Sequence, residues 1–200
     1  LVTSDDVVPT QVSQLTTVGD SVYFVAERIE GTLPVFDLWQ TDGTATGTEL
    51  VAALPGTPTQ LTAGHGSNPT KLFFVINDTA LWSSSGTATT TSRVHDIGST
   101  ISDVTPTANG VYFRSTTSGR LWHTDEASST ATIAGIHDVA QLTRVADQLF
   151  FTATSGNQTA LFRMSTATTA TLVRANSTIQ NAHDTTITTG DRTFFVADYD

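Results

Sequence analysis

Five histidines, His65, His95, His123, His137 and His183, are the side chains of this sequence best suited to acid–base or metal chemistry. His95-Asp96 and His137-Asp138 recur 42 residues apart, a pattern that would suit metal ligands or proton-transfer pairs on one rim of a repeat structure. No third ligand recurs with them, so a polar loop copied along with a repeat accounts for both pairs. Asp and Glu are plentiful but scattered, and a glycosidase needs two carboxylates facing each other across a substrate. Sialidases also use an arginine cluster, to which the eight scattered arginines give little support.

Nucleophilic catalysis requires a Ser, Thr or Cys beside a base that a third group orients. One residue in five is threonine, yet no Gly-x-Ser-x-Gly elbow occurs. No glycine-rich phosphate loop follows a strand signal and opens a helix. The sequence therefore assigns no catalytic residues and no cofactor. Calcium stays open, because it takes carboxylate and carbonyl oxygens. Asn77-Asp78-Thr79, Asn157-Gln158-Thr159 and Asn176-Ser177-Thr178 have the form of glycosylation acceptors, which a threonine-rich composition also produces by coincidence.

The formal net charge is −10 and lysine occurs once, at Lys71. Such a surface repels phosphate backbones and excludes nucleic acid as a natural partner. Cysteine is absent, so neither disulfides nor thiolate metal sites contribute. No apolar run is long enough to span a bilayer, and Leu1 to Asp6 do not read as a signal peptide. If the protein is secreted, that leader is expected to have been removed.

The elements that must position these residues are read from an internal repeat. Five aromatic pairs, Tyr23-Phe24, Phe73-Phe74, Tyr112-Phe113, Phe150-Phe151 and Phe194-Phe195, are separated by 50, 39, 38 and 44 residues. Upstream of each lies a short segment: Gln14-Leu15-Thr16, Gln60-Leu61-Thr62, Asp103-Val104-Thr105, Gln141-Leu142-Thr143 and Thr186-Ile187-Thr188. Turn residues such as Gly19-Asp20, Asn109-Gly110 and Gly190-Asp191 stand between, which reads as a hairpin. Downstream come Leu38-Trp39, Leu81-Trp82, Leu121-Trp122 and Leu161-Phe162, and then apolar segments around Leu50-Val51, Val94, Ile133 and Leu172-Val173. Each unit is thus expected to hold four short strands.

From Ser21 to Ala26 the residues Val22, Phe24 and Ala26 share one strand face, and Tyr23 and Val25 share the other. A strand apolar on both faces must be covered twice. Stacked four-stranded blades supply both covers, so the expected fold is an all-β β-propeller of about four to five blades, or an arc of a larger one. An immunoglobulin-like sandwich needs roughly 100 residues per domain, too long for this period. The expected division is a single propeller domain or fragment over 1–200: a closing outer strand at 1–8, blades at 9–56, 57–100, 101–139 and 140–181, and a partial blade at 182–200. Strands from both ends could close the ring, but an arc, or a ring completed by another chain, is favoured.

Asp37-Leu38-Trp39-Gln40-Thr41-Asp42-Gly43-Thr44-Ala45-Thr46-Gly47-Thr48-Glu49-Leu50-Val51 resembles the bacterial repeat family named for its ELWxxDGT motif, with Asp37 in place of the leading Glu. The copy beginning at Leu81 keeps the outline but has Ser85 at the motif aspartate, and those at Leu121 and Leu161 depart further. The resemblance implies propeller-type repeats in an extracellular or cell-surface protein, with no enzymatic activity. The motif is also similar to the Asp-box of sialidases, a turn on the blade periphery. Trp39, Asp42, Gly43, Thr44, Gly47 and Thr48 are accordingly assigned to a structural turn.

These readings lead to a non-enzymatic surface module that holds protein partners, or further copies of the same chain, through open edges of a terminal blade. A lectin-like propeller binding glycans between blades is the alternative, and a propeller glycoside hydrolase stands behind it.

Overall fold

In a computed structural model, residues 9–66, 68–125, 131–132, 135–156, 158–174, 187–189 and 192–194 are described. The expectations for 1–8, Ile133, Asn157, Asn176, His183 and Phe195 fall outside that set. The chain is all-β. It divides into two compact units, Leu1–Ile101 and Ser102–Asp200.

The first unit holds two four-stranded antiparallel meanders: β1 (Gln11–Val18), β2 (Ser21–Glu30), β3 (Leu33–Thr41) and β4 (Glu49–Leu54), then β5 (Pro58–Ala63), β6 (Leu72–Ile76), β7 (Ala80–Ser84) and β8 (Ser92–Asp96). β9 (Ile101–Thr107) starts at the last residue of the first unit, and the rest of it lies in the second with β10 (Gly110–Ser115), β11 (Leu121–Thr124) and β12 (Ala131–Thr132), then β13 (His137–Val145), β14 (Gln148–Ser155), β15 (Gln158–Met164) and β16 (Ala170–Arg174). A two-stranded ladder, β17 (Ile187–Thr189) with β18 (Arg192–Phe194), follows, pairing Ile187 with Phe194. Sequential order in every sheet follows from short polar loops, which admit only antiparallel neighbours.

The pairs Tyr23-Phe24, Phe73-Phe74 and Tyr112-Phe113 lie on the second strand of their sheets with both members buried, while in Phe150-Phe151 the second member is buried and the first partly so. Phe73 and Phe74 are both 0% exposed, as are Leu72 and Val75 around them. In the first unit Tyr23, Leu38, Val51 and Leu54 pack with Leu72, Phe74 and Ile76 of the next sheet. In the second, Tyr112 and Leu121 pack with Leu149, Phe151, Phe162 and Met164. Within each unit, then, the first member of a pair faces the following sheet and the second member faces the preceding one. The alternation of side chains along a strand turns two adjacent aromatics into two separate contacts.

The second member also stacks within its own sheet on the directly opposite aromatic of the third strand. Phe24 lies over Trp39 with centroids 6.4 Å apart, Phe74 over Trp82 at 6.5 Å, Phe113 over Trp122 at 6.5 Å, and Phe151 over Phe162 at 5.8 Å. Near-parallel offset rings across non-covalent strand pairs add to the area they bury.

Each four-stranded sheet opens with an irregular strand. Gln14, Gln60, Asp103 and Gln141, the leading residues of the recurrent polar–apolar–Thr segments, all have φ of 55–56°. Ladder register shifts across these points in β1, β5 and β13. A bulge costs one backbone pairing and turns the following residues, and here the threonine two residues on closes it: Thr16, Thr62 and Thr105 hydroxyls donate to the carbonyls of Gln14, Gln60 and Asp103.

Candidate functional site

The segment from Thr41 to Thr48 joins the end of β3 to the start of β4. Its backbone reverses within few residues, so polar hydrogens there have no ladder partner and side chains supply one. The Thr44 N–H and hydroxyl both donate to Asp42 Oδ1, at 2.9 and 2.7 Å. The Gly43 N–H donates to Thr41 Oγ1 and the Gly47 N–H to Thr44 Oγ1, each at 3.0 Å. Thr48 Oγ1 donates to the Thr44 carbonyl and lies 2.7 Å from Thr41 Oγ1. The two Thr44 donors hold the Asp42 carboxyl below the ordinary carboxylate range. Asp42, Gly43, Thr44, Gly47 and Thr48 are thereby brought together, whereas Trp39 sits in β3 against Phe24.

The corresponding turn after β7 keeps the frame with other atoms. Ser84 Oγ lies 2.8 Å from Thr91 Oγ1, the Gly86 N–H donates to Ser84, and Thr91 donates to the Thr87 carbonyl. Ser85 stands where Asp42 stands and Thr90 where Gly47 stands. A Cβ on Gly47 would overlap the Asp42 carboxylate. With that carboxylate gone, Thr90 fills the space, and its hydroxyl accepts from the N–H of Thr87 and pairs with the Thr87 hydroxyl at 2.9 Å. One acceptor has moved from the front of the turn to its back.

The turn also meets the preceding sheet. A Cβ on Gly86 (φ 93°) would stand 2.8 Å from the Tyr23 hydroxyl and 3.0 Å from Gln40 Oε1, so this residue is glycine for space as well as for backbone sign. In the second unit the Tyr112 hydroxyl donates to the carbonyls of Ala167 and Thr166 in the turn after β15, at 3.3 and 3.5 Å. Thr166 follows Phe162 by the same interval as Gly86 follows Trp82. Burial pushes the Tyr112 phenol up to about 12.

A second set of polar contacts was not foreseen. Gln14 Nε2 donates to the Pro58 carbonyl at 2.6 Å, and Gln60 Nε2 to the Ile101 carbonyl at 2.8 Å. Each bulge glutamine thus hydrogen-bonds the first residue of a later first strand. The equivalent Asp103 instead binds Arg114. The recurrence of Gln or Asp two residues before a threonine in these first strands was the available signal.

The histidine–aspartate pairs are not equivalent. His95-Asp96 closes β8, the fourth strand of its sheet, whereas His137-Asp138 opens β13, the first strand of its own. His137-Asp138 thus comes after a fourth strand, β12, whereas His95-Asp96 lies within one, and β13 begins before the expected boundary at 140, its bulged course carrying Asp138 at φ 53°. His137 Nδ1 contacts Asp138 at 2.8 Å on the surface. His123 is buried, 4.6 Å from the Tyr112 ring, with Nε2 2.8 Å from the Asn109 carbonyl. Asn77 is engaged too: its Oδ1 accepts the Thr57 N–H. Among the described residues, no three His, Asp or Glu side chains converge where they could hold a metal ion, and no helix is long and apolar enough to cross a membrane.

Neither protein-family models nor curated proteins gave a match to the chain.

Proposed function

We propose that the chain is a β-propeller module of the ELWxxDGT kind, a ring or an arc of one, that acts outside the cell as a non-enzymatic assembly element joining protein partners or further copies of itself. The observation that carries this reading is the use made of the polar side chains. Asp42, Thr44 and Thr90 hold turns, Tyr112 and Gln14 tie one sheet to the next, and His123 holds a hairpin carbonyl. Sheets covered on both faces and laced edge to edge are what blade stacking requires. Assembly of this kind would use a sheet edge, which a partner strand can extend through backbone hydrogen bonds alone.

Sedimentation over a concentration series, read beside negative-stain images, tests the proposal. Concentration-dependent association into rings or rows of modules is expected. A single monomeric species at every concentration, with no binding to the producing cell's surface, would refute it.

A further inference from the structure

Asn109-Gly110 is the sequence's one Asn-Gly pair. Asn109 is exposed in the two-residue turn between β9 and β10. Its carbonyl oxygen lies 2.8 Å from His123 Nε2. A carbonyl only accepts, so Nε2 carries the hydrogen, and burial beside Tyr112 fixes the ring that presents it. Gly110 has φ 120°, and a Cβ there would lie 2.7 Å from His123 Nε2 and overlap the Thr124 carbonyl. Gly110 is therefore glycine for space: it is itself buried and places no side chain between its peptide nitrogen and the exposed Asn109 side chain.

We propose that Asn109-Gly110 is a self-modifying site, at which the turn converts Asn109 to a mixture of aspartate and isoaspartate with the help of His123. The Gly110 nitrogen gives its proton to solvent base, and its lone pair forms a bond to Asn109 Cγ. The Cγ–Nδ2 bond breaks, and the side-chain nitrogen leaves as ammonia after taking a proton from water. Water then adds to one carbonyl of the five-membered imide. Opening at Cγ gives aspartate, and opening at the main-chain carbonyl gives isoaspartate. The net change is NH2 for OH, with no oxidant or reductant. His123 acts as a positioning and activating residue: its N–H draws electron density from the Asn109 carbonyl, which acidifies the following amide.

The consequence is local and specific. In isoaspartate the chain runs through Cγ, and the oxygen that faced His123 becomes part of a free α-carboxylate. A neutral contact becomes a charge-assisted one, and the turn gains a charge and a methylene. Asp42-Gly43 offers the same ring closure but is protected, because its carboxylate is ionised and held by Thr44.

The test ages the full-length chain in mildly alkaline buffer at physiological temperature and maps tryptic peptides by mass spectrometry, with isoaspartyl methyltransferase labelling. Peptide 94–114 contains Asn109 as its one asparagine. Conversion there is expected to run several-fold faster than at Asn77, and several-fold slower in His123→Gln and in the urea-unfolded chain. An intact Asn109, or a rate no greater than at Asn77, overturns the site. A native rate no faster than the unfolded one overturns the role of His123, whether or not His123→Gln folds.

Discussion

The Tyr112 hydroxyl donates to the carbonyl oxygen of Ala167 across the gap between two sheets, 55 residues away in sequence. This joins a β10 side chain to the turn that ends β15. Tyr112→Phe keeps the ring and removes the donor, so it is expected to lower stability by about 0.5–1.5 kcal/mol in urea unfolding. The phenol also titrates late, at about 12 against an ordinary 10.0. A raised folded-state value means that the unfolded chain loses its proton first. Stability is therefore intact below pH 10 and falls as pH rises toward about 12, and Tyr112→Phe should flatten that fall.

The two turns after β3 and β7 predict a coupled pair. Asp42→Ser alone removes the acceptor for both Thr44 donors. Gly47→Thr alone drives a side chain into the Asp42 carboxylate. Each should lower the urea midpoint, and the double variant should recover most of the loss, as Ser85 with Thr90 shows is feasible. Additive losses in the double-mutant cycle would contradict the arrangement. Because the Asp42 carboxyl is held below its ordinary range, its contribution is present above that range and disappears as pH falls through the folded-state value. The Asp42→Ser deficit should shrink in acid accordingly.

Gln60 predicts an effect of a single atom. Gln60→Glu is nearly isosteric but places a carboxylate oxygen where Nε2 met the Ile101 carbonyl. Two acceptors then face each other, and a loss of about 1–3 kcal/mol is expected at neutral pH. Acidification should restore part of it by protonating the glutamate, a recovery visible in thermal melts.

Phe73 and Phe74 predict a symmetry. On a sheet with one solvated face, only one of two adjacent residues would matter. Here both are fully buried, so Phe73→Ala and Phe74→Ala should each lose about 3–5 kcal/mol. Leu15→Ala, at a side chain 69% exposed, should change little. Chemical denaturation of the three variants makes the comparison.

Much of this was legible in the sequence, for reasons visible in particular residues. The aromatic pairs, the Leu-Trp anchors and the Asp-Gly turn announced strands and their order, and at Phe73-Phe74 their double burial, because side-chain alternation and positive-φ turns are local properties. The lacing was hidden. Gln14 and Gln60 read as ordinary strand residues, since neither a φ of 55–56° nor a partner 41 or 44 residues away leaves a trace in composition. The His-Asp pairs misled in the other direction: similar spacing placed them on strands of different rank, because the loops between sheets differ in length.

The exchange between the Asp42 and Gly47 positions bears on how such chains drift. A hydroxyl arriving from one end of a loop can replace a carboxylate lost from the other, provided both changes occur together. Copies altered in this way keep their shape while shedding the letters by which their kind is recognised. Kinship among them is better sought in where acceptors sit in space than in a consensus string.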